Sequence, residues 1–165
     1  MMEALEERVL MSAIAAGQTV AGSLTPGERD DYTFAVAAGE TIVVTMAKTS
    51  SSSSFFNPKV ELYAPNGTLL KADRDTTTAF FSFKTSVGGQ YKLVATQDSG
   101  YQVSGGYSLM MAKAPYTSGA EADGDGGLLV SGSTRSESVT TGDMDVYTFN
   151  ATAGNTILAT MAESS

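Results

Sequence analysis

The chain has 165 residues, 42% of them hydrophobic, and a net charge of −8. That acid surplus argues against a nucleic-acid partner, since a phosphate backbone needs clustered Lys and Arg. Cys and His are both absent, which excludes disulfides, zinc sites built from those residues, a Ser-His-Asp triad and a Cys-His dyad. The 17 glycines, with abundant Ser and Thr and only 17% charged residues, suit half-exposed strands and turns, so the expected class is all-β.

Residues 1–15 differ in character from the rest. Leu5, Val9 and Leu10 share one side of a short helical pattern, while Glu3, Glu6 and Glu7 stand where a secretory signal carries basic residues. No apolar run reaches the length of a membrane span. A first unit is expected over residues 16–114. Gln18 to Ala21 reads as a strand ended by Gly22, and Thr25-Pro26-Gly27 as a turn. Tyr32, Phe34 and Val36 then alternate with Thr33 and Ala35. Ala38-Gly39-Glu40 breaks the run, and Ile42, Val44 and Met46 alternate again, giving two strands across a tight turn.

Ser50 to Ser54 form a surface loop with too little apolar area to pack. Phe55 and Phe56 follow it and point opposite ways in extended chain, so one is expected to be exposed; covering an edge of the core outweighs a binding role for the pair. Val60 and Leu62 mark the next strand, and Pro65-Asn66-Gly67 turns it into a hairpin with residues 68–71. Asp73 and Asp75 read as solvated. Phe81 with Phe83, then Tyr91, Leu93 and Ala95, then Tyr107, Leu109 and Met111 supply three more alternating strands. Roughly seven or eight short strands in about 100 residues is the pattern of a β-sandwich.

Residues 115–127 are an acidic, glycine-bearing linker, and residues 128–165 start the unit again. Asp30, Tyr32, Thr33, Phe34, Gly39, Thr41, Ile42, Thr45, Met46 and Ala47 recur 115 positions later as Asp145, Tyr147, Thr148, Phe149, Gly154, Thr156, Ile157, Thr160, Met161 and Ala162. Gly132 is matched here to Gly22, which makes the second copy five residues longer before Asp145. The second copy stops at a position matching Ser50 and is too short to enclose its own core. The chain is therefore expected to be a piece of a longer protein, its last segment either poorly ordered or packed on the first unit.

The order of these features resembles the bacterial pre-peptidase C-terminal domain. The features are the strand at Gly22, Asp30 with Tyr32 and Phe34, Ala38-Gly39, the strand through Val60, Leu62 and Tyr63, Pro65-Asn66-Gly67, Gly89 with Tyr91, and Tyr107-Ser108-Leu109. The resemblance implies a jelly-roll-like antiparallel β-sandwich, one complete copy plus a truncated second. It also implies a noncatalytic accessory module of a secreted or surface bacterial protein, aiding secretion, stability or substrate attachment. The implied partners are the rest of its own longer chain, a protease or other exported protein, and an extracellular matrix protein or polysaccharide. The implied location is extracellular or at the cell surface. Residues 5–12 also resemble the short leucine-glutamate-proline-arginine motif of planctomycete exported proteins, with Glu7 in the place of its proline.

Calcium is the candidate ligand chemistry, as a hard cation seeks six to eight oxygens, and an acidic, solvated spacer is the alternative reading of the same residues. Glu121, Asp123 and Asp125 alternate along the linker, and Asp143 and Asp145 enter the repeated strand, so a linker folded back would bring five carboxylates together. Relatives resembling this domain that bind collagen hold calcium between an acidic linker and such a loop. In the first copy only Asp30 and Asp31 occupy that place. An enzyme is not expected, because Asp30, Asp31 and Asp75 read as loop carboxylates without an aromatic-rich cleft. Tyr63, Tyr91, Tyr101 and Tyr116 are candidates for a sugar- or peptide-binding face, whereas Tyr32 and Tyr147 read as core with a bonded hydroxyl.

Overall fold

The computed structural model describes residues 11–49, 52–98, 103–115 and 125–163. The expectations for residues 1–10, Tyr101, Tyr116, Glu121 and Asp123 lie outside them. Among the described residues there is no helix. The strands are β1 (Met11–Ala13), β2 (Gln18–Leu24), β3 (Asp30–Val36), β4 (Thr41–Lys48), β5 (Pro58–Tyr63), β6 (Leu69–Arg74), β7 (Thr78–Lys84), β8 (Gly89–Gln97), β9 (Gly105–Ala114), β10 (Gly127–Leu128) and β11 (Tyr147–Thr148). A five-stranded sheet in the order β1-β3-β8-β5-β6 faces a four-stranded sheet in the order β2-β9-β4-β7, and β10 pairs with β11 separately. Pairing is antiparallel throughout, save for β1 on β3 and β10 on β11. The protein is an all-β sandwich.

Period-two alternation builds the core. Tyr32, Phe34 and Val36 from β3, Val60 and Leu62 from β5, and Tyr91, Leu93 and Ala95 from β8 meet Ile42, Val44 and Met46 from β4 and Tyr107, Leu109 and Met111 from β9. Each set occupies alternate positions, so each strand turns one face inward. Phe56 joins this core fully buried while Phe55 stands 58% exposed; the split comes from a turn and not from the extended chain expected, since Phe56 N donates to Ser53 O at 3.0 Å and Phe55 lies inside that turn.

Three sequence expectations are corrected. The sandwich begins before residue 16: β1 lies parallel to β3, and Ile14 is buried in the core. Gly22 does not end its strand, since β2 runs on to Leu24 in register with β9. A Cβ at Gly22 would stand 2.5 Å from the Tyr107 ring, so this glycine gives room for a close approach inside a continuous strand.

The third correction concerns the repeat. Ser12 pairs with Tyr32 and Ala13 with Thr33, as Gly127 pairs with Tyr147 and Leu128 with Thr148. Those positions are 115 apart without any insertion. Gly17, Gly27 and Gly39 hold φ of 78°, 81° and 87°, and Gly132, Gly142 and Gly154 hold 79°, 81° and 90°. Gly132 thus answers Gly17, not Gly22, and the second copy carries no five-residue excess. Its turn at Gly142 rests on the first sandwich, where Thr45 Oγ1 donates to Gly142 O at 2.9 Å.

The outer face of the five-stranded sheet carries a charge network. Glu61, its side chain 7% exposed, takes Arg29 at 2.8 Å and Lys59 at 2.7 Å, and Tyr63 donates to it at 2.8 Å. Burial opposes the Glu61 charge, but Lys59, Tyr63 and Arg29 outweigh it and hold the carboxyl below its ordinary range. A depressed carboxyl stabilises the fold above its unfolded pKa and loses that contribution as pH falls through the folded value. Glu61→Gln is expected to cost about 1 kcal/mol at pH 7 and to flatten the loss of stability below about pH 4.5, read by urea unfolding from pH 3 to 7.

Candidate functional site

The carboxylates singled out in the sequence separate into three groups. Asp30 and Asp31 are the first residues of β3 and not a loop, and as strand neighbours they face opposite ways. Asp30 Oδ2 accepts from the Tyr107 hydroxyl at 2.5 Å, and that hydroxyl lies 2.6 Å from the one on Tyr32. Asp31, on the outer face, pairs with Lys92 at 2.7 Å. The two are not brought together, and each is already engaged.

Asp143 closes its own turn. Thr140 N donates to its Oδ2 at 3.4 Å and Met144 N to its Oδ1 at 2.8 Å. Glu28 plays the same part in the first copy, taking Thr25 N at 2.7 Å, and that bond holds its carboxyl below the usual range.

The third group gathers at Tyr147. Its hydroxyl donates to Glu137 Oε2, which also accepts from Gly126 N at 3.1 Å. Those two bonds, with Arg135 nearby, hold the Glu137 carboxyl low. The same carboxylate raises the Tyr147 hydroxyl, and the charges of Asp145 and Asp125 add to the rise. The Tyr147 hydroxyl thus feels the charges of Asp125 and Asp145 while donating to Glu137, with Glu121 and Asp123 just upstream in sequence. Among the described residues no three acids form a metal-holding cluster. Glu137 was not among the sequence candidates. The ungapped repeat places it opposite Gly22, and that alignment is the signal that finds it.

The two copies thus partner the same tyrosine differently. In the first, Gly22 leaves room for the Tyr107 ring and the Tyr32 hydroxyl meets that of Tyr107. In the second, Glu137 stands at the glycine position and its carboxylate reaches the Tyr147 hydroxyl.

The remaining candidates divide by burial. Tyr91 is in the core, its hydroxyl donating to Val87 O at 2.7 Å. Tyr63 lies half-buried on the outer face, its ring 5.3 Å from Lys92 Nζ. Asp73 accepts from Phe80 N at 2.8 Å and Asp75 from Thr77 N at 2.8 Å, so both order the β6–β7 connection. A shallow groove of about 550 Å³ runs past Gly22, Leu24, Thr49, Gly105 and Tyr107. Among the described residues, Tyr107 is the single ionisable side chain on its wall.

No family model matches the sequence, and no curated protein matches it. Solved structures do. The pre-peptidase C-terminal domain of collagenase from Bacillus anthracis is 20% identical, with a TM-score of 0.52, 65% of this chain covered and 99% of that domain. The Aeromonas hydrophila protein PliG, a periplasmic lysozyme inhibitor of g-type lysozyme, is 14% identical, with a TM-score of 0.52, 64% of this chain covered and 96% of that one. The chain has the fold of a pre-peptidase C-terminal domain, and the inhibitor shares that architecture.

Proposed function

We propose that the chain is a noncatalytic accessory module of an exported bacterial protein, acting outside the cell or at its surface to aid secretion, stability or substrate attachment. The observation that carries this reading is the fold, which is similar to the collagenase domain over almost the whole of that domain. The sandwich supports it too, because its interior is closed by apolar side chains and its strand-end carboxylates are engaged by Tyr107 and Lys92. Co-sedimentation of the full chain with insoluble collagen and with polysaccharides, scored for both retention and product release, tests the reading. Retention or indifference without product is expected, and release of product from either matrix overturns it.

A second reading is a calcium-dependent collagen- or polysaccharide-binding module. It is favoured by the charges of Asp125, Glu137 and Asp145 acting on Tyr147, to which Glu121 and Asp123 would add oxygens. On this reading millimolar calcium raises the unfolding free energy by about 1 kcal/mol over chelator, given the weak affinity of extracellular sites. Asp145→Asn abolishes the rise. An unchanged midpoint in calcium leaves those acids as solvated surface and removes this reading.

A further inference from the structure

The outer face of a sandwich sheet is ordinarily wet, yet the middle of this one is not. On β4 the inward residues are Ile42, Val44 and Met46, and on β9 they are Tyr107, Leu109 and Met111. Thr45, Ala47, Ser108, Met110 and Ala112 alternate with them and face away from the core. All five are nonetheless buried, Met110 completely and Ala47 to 2% exposure. Two cross-strand rows organise the patch: Thr19, Met110 and Thr45 in one, Ala21, Ser108 and Ala47 in the next. Small side chains on the second row let a backbone come close.

The backbone that does so belongs to the second copy. Thr45 Oγ1 donates to Gly142 O at 2.9 Å, and Thr19 Oγ1 donates to Asp143 Oδ1 at 3.4 Å. A Cβ at Gly142 would lie 2.8 Å from Ser108 Cβ and 3.2 Å from Ala47 Cβ, nearer than packed carbons approach. The turn is thus seated so tightly that only glycine fits, for steric reasons over and above its φ of 81°. We infer that the Thr140–Asp143 turn and the outer face of β2, β9 and β4 are a built junction, in which one copy of the module docks by its entry turn onto the sheet of the copy before it.

The parts of that junction recur. The first copy's own turn, Thr25-Pro26-Gly27-Glu28, has the same Thr-to-acid hydrogen bonds, and a Cβ at Gly27 meets nothing within 4 Å. Thr160 and Ala162 hold the places of Thr45 and Ala47 in the second copy. The turn of one copy and the threonine and alanine of the seat thus both recur, so the same contact serves a series of copies. The partner this surface fits is another copy of the module.

Gly27 supplies a matched control, because leucine at Gly27 or Gly142 meets the same unfavourable φ while only at Gly142 does it meet a wall. With no native cysteine in the chain, Ser108→Cys places a single thiol beneath the turn at little change in volume. In the full chain this thiol is expected to react with a maleimide at least about tenfold more slowly than in denaturant, as befits a contact that must open first. Gly142→Leu is expected to speed the reaction about tenfold and Gly27→Leu to leave it unchanged. If Gly142→Leu prevents folding, Thr45→Val is read instead, with an acceleration of about fivefold from loss of one hydrogen bond. A thiol as reactive in the folded chain as in denaturant, or equal rates in the two leucine variants, overturns the junction.

Discussion

Replacing Phe56 by alanine is expected to lower the unfolding free energy by about 3–5 kcal/mol, the cost of a large apolar side chain removed from a core. Phe55→Ala, one residue earlier, is expected to change it by less than about 0.5 kcal/mol. The difference rests on position, since Phe56 is fully buried and Phe55 is mostly in solvent. It rests also on the seat: a Cβ at Gly105 would stand 2.4 Å from the Phe56 ring, so the ring lies directly on the backbone at the start of β9. The cavity left by alanine is floored by that strand, which is laddered to β2 along its edge, and the strand cannot collapse inward without breaking the ladder. For a domain of about 100 residues the loss lowers the melting midpoint by more than about 12 °C. Circular dichroism melts of the two variants beside the parent read this directly. A Phe56→Ala loss as small as that of Phe55→Ala would mean the ring is not the keystone described.

Tyr107→Phe is expected to cost about 2–3 kcal/mol at pH 7. It removes the one hydroxyl that joins Tyr32 to Asp30 and leaves a buried phenol with its partner gone. Burial, chiefly, with the bonds to Asp30 and Tyr32, pushes the Tyr107 hydroxyl far above its ordinary value. Burial and the charge of Asp30 raise Tyr32 as well, more than its bond to Tyr107 lowers it. A raised acid contributes stability that is fully present below its unfolded pKa and is lost as pH climbs past it. Stability of the parent therefore falls from about pH 10 upward, by about 1.4 kcal/mol per pH unit for each tyrosine that stays protonated in the fold. In Tyr107→Phe the contribution of Tyr107 is gone while those of Tyr32 and Tyr147 remain, so the alkaline slope is shallower as well as the neutral value lower. Urea unfolding between pH 7 and 11 separates the two effects; equal slopes would show that Tyr107 ionises freely.

What the sequence revealed follows from how local each signal is. Alternation of apolar residues gave the strands and their inward faces, and Pro65-Asn66-Gly67 gave the β5–β6 hairpin, because both are set by neighbours in the chain. Strand order did not follow: β3 pairs with β8 and β2 with β9, contacts between residues 53 to 93 positions apart that leave no local mark. Glycine was the ambiguous letter. Gly22 reads as a stop, yet it is a mid-strand gap for the Tyr107 ring, and strand register together with backbone angles reveals Gly17 and Gly132 as the matched pair. That mismatch hid Glu137 from the candidate site, since an alignment with five extra residues separates it from Gly22. Asp143 and Asp145 looked equivalent as acids, whereas a turn geometry claims Asp143 and the strand start carries Asp145 to Tyr147.

The most direct test of the accessory role is to append the whole chain to an exported reporter enzyme and compare it with the reporter alone. Three quantities are read from the same cultures: reporter secreted, its half-life in the medium, and its retention on collagen or polysaccharide. The account predicts that at least one rises clearly while the reporter's kcat and KM stay the same. No change in any of the three, or hydrolysis of a matrix by the appended chain itself, would contradict it.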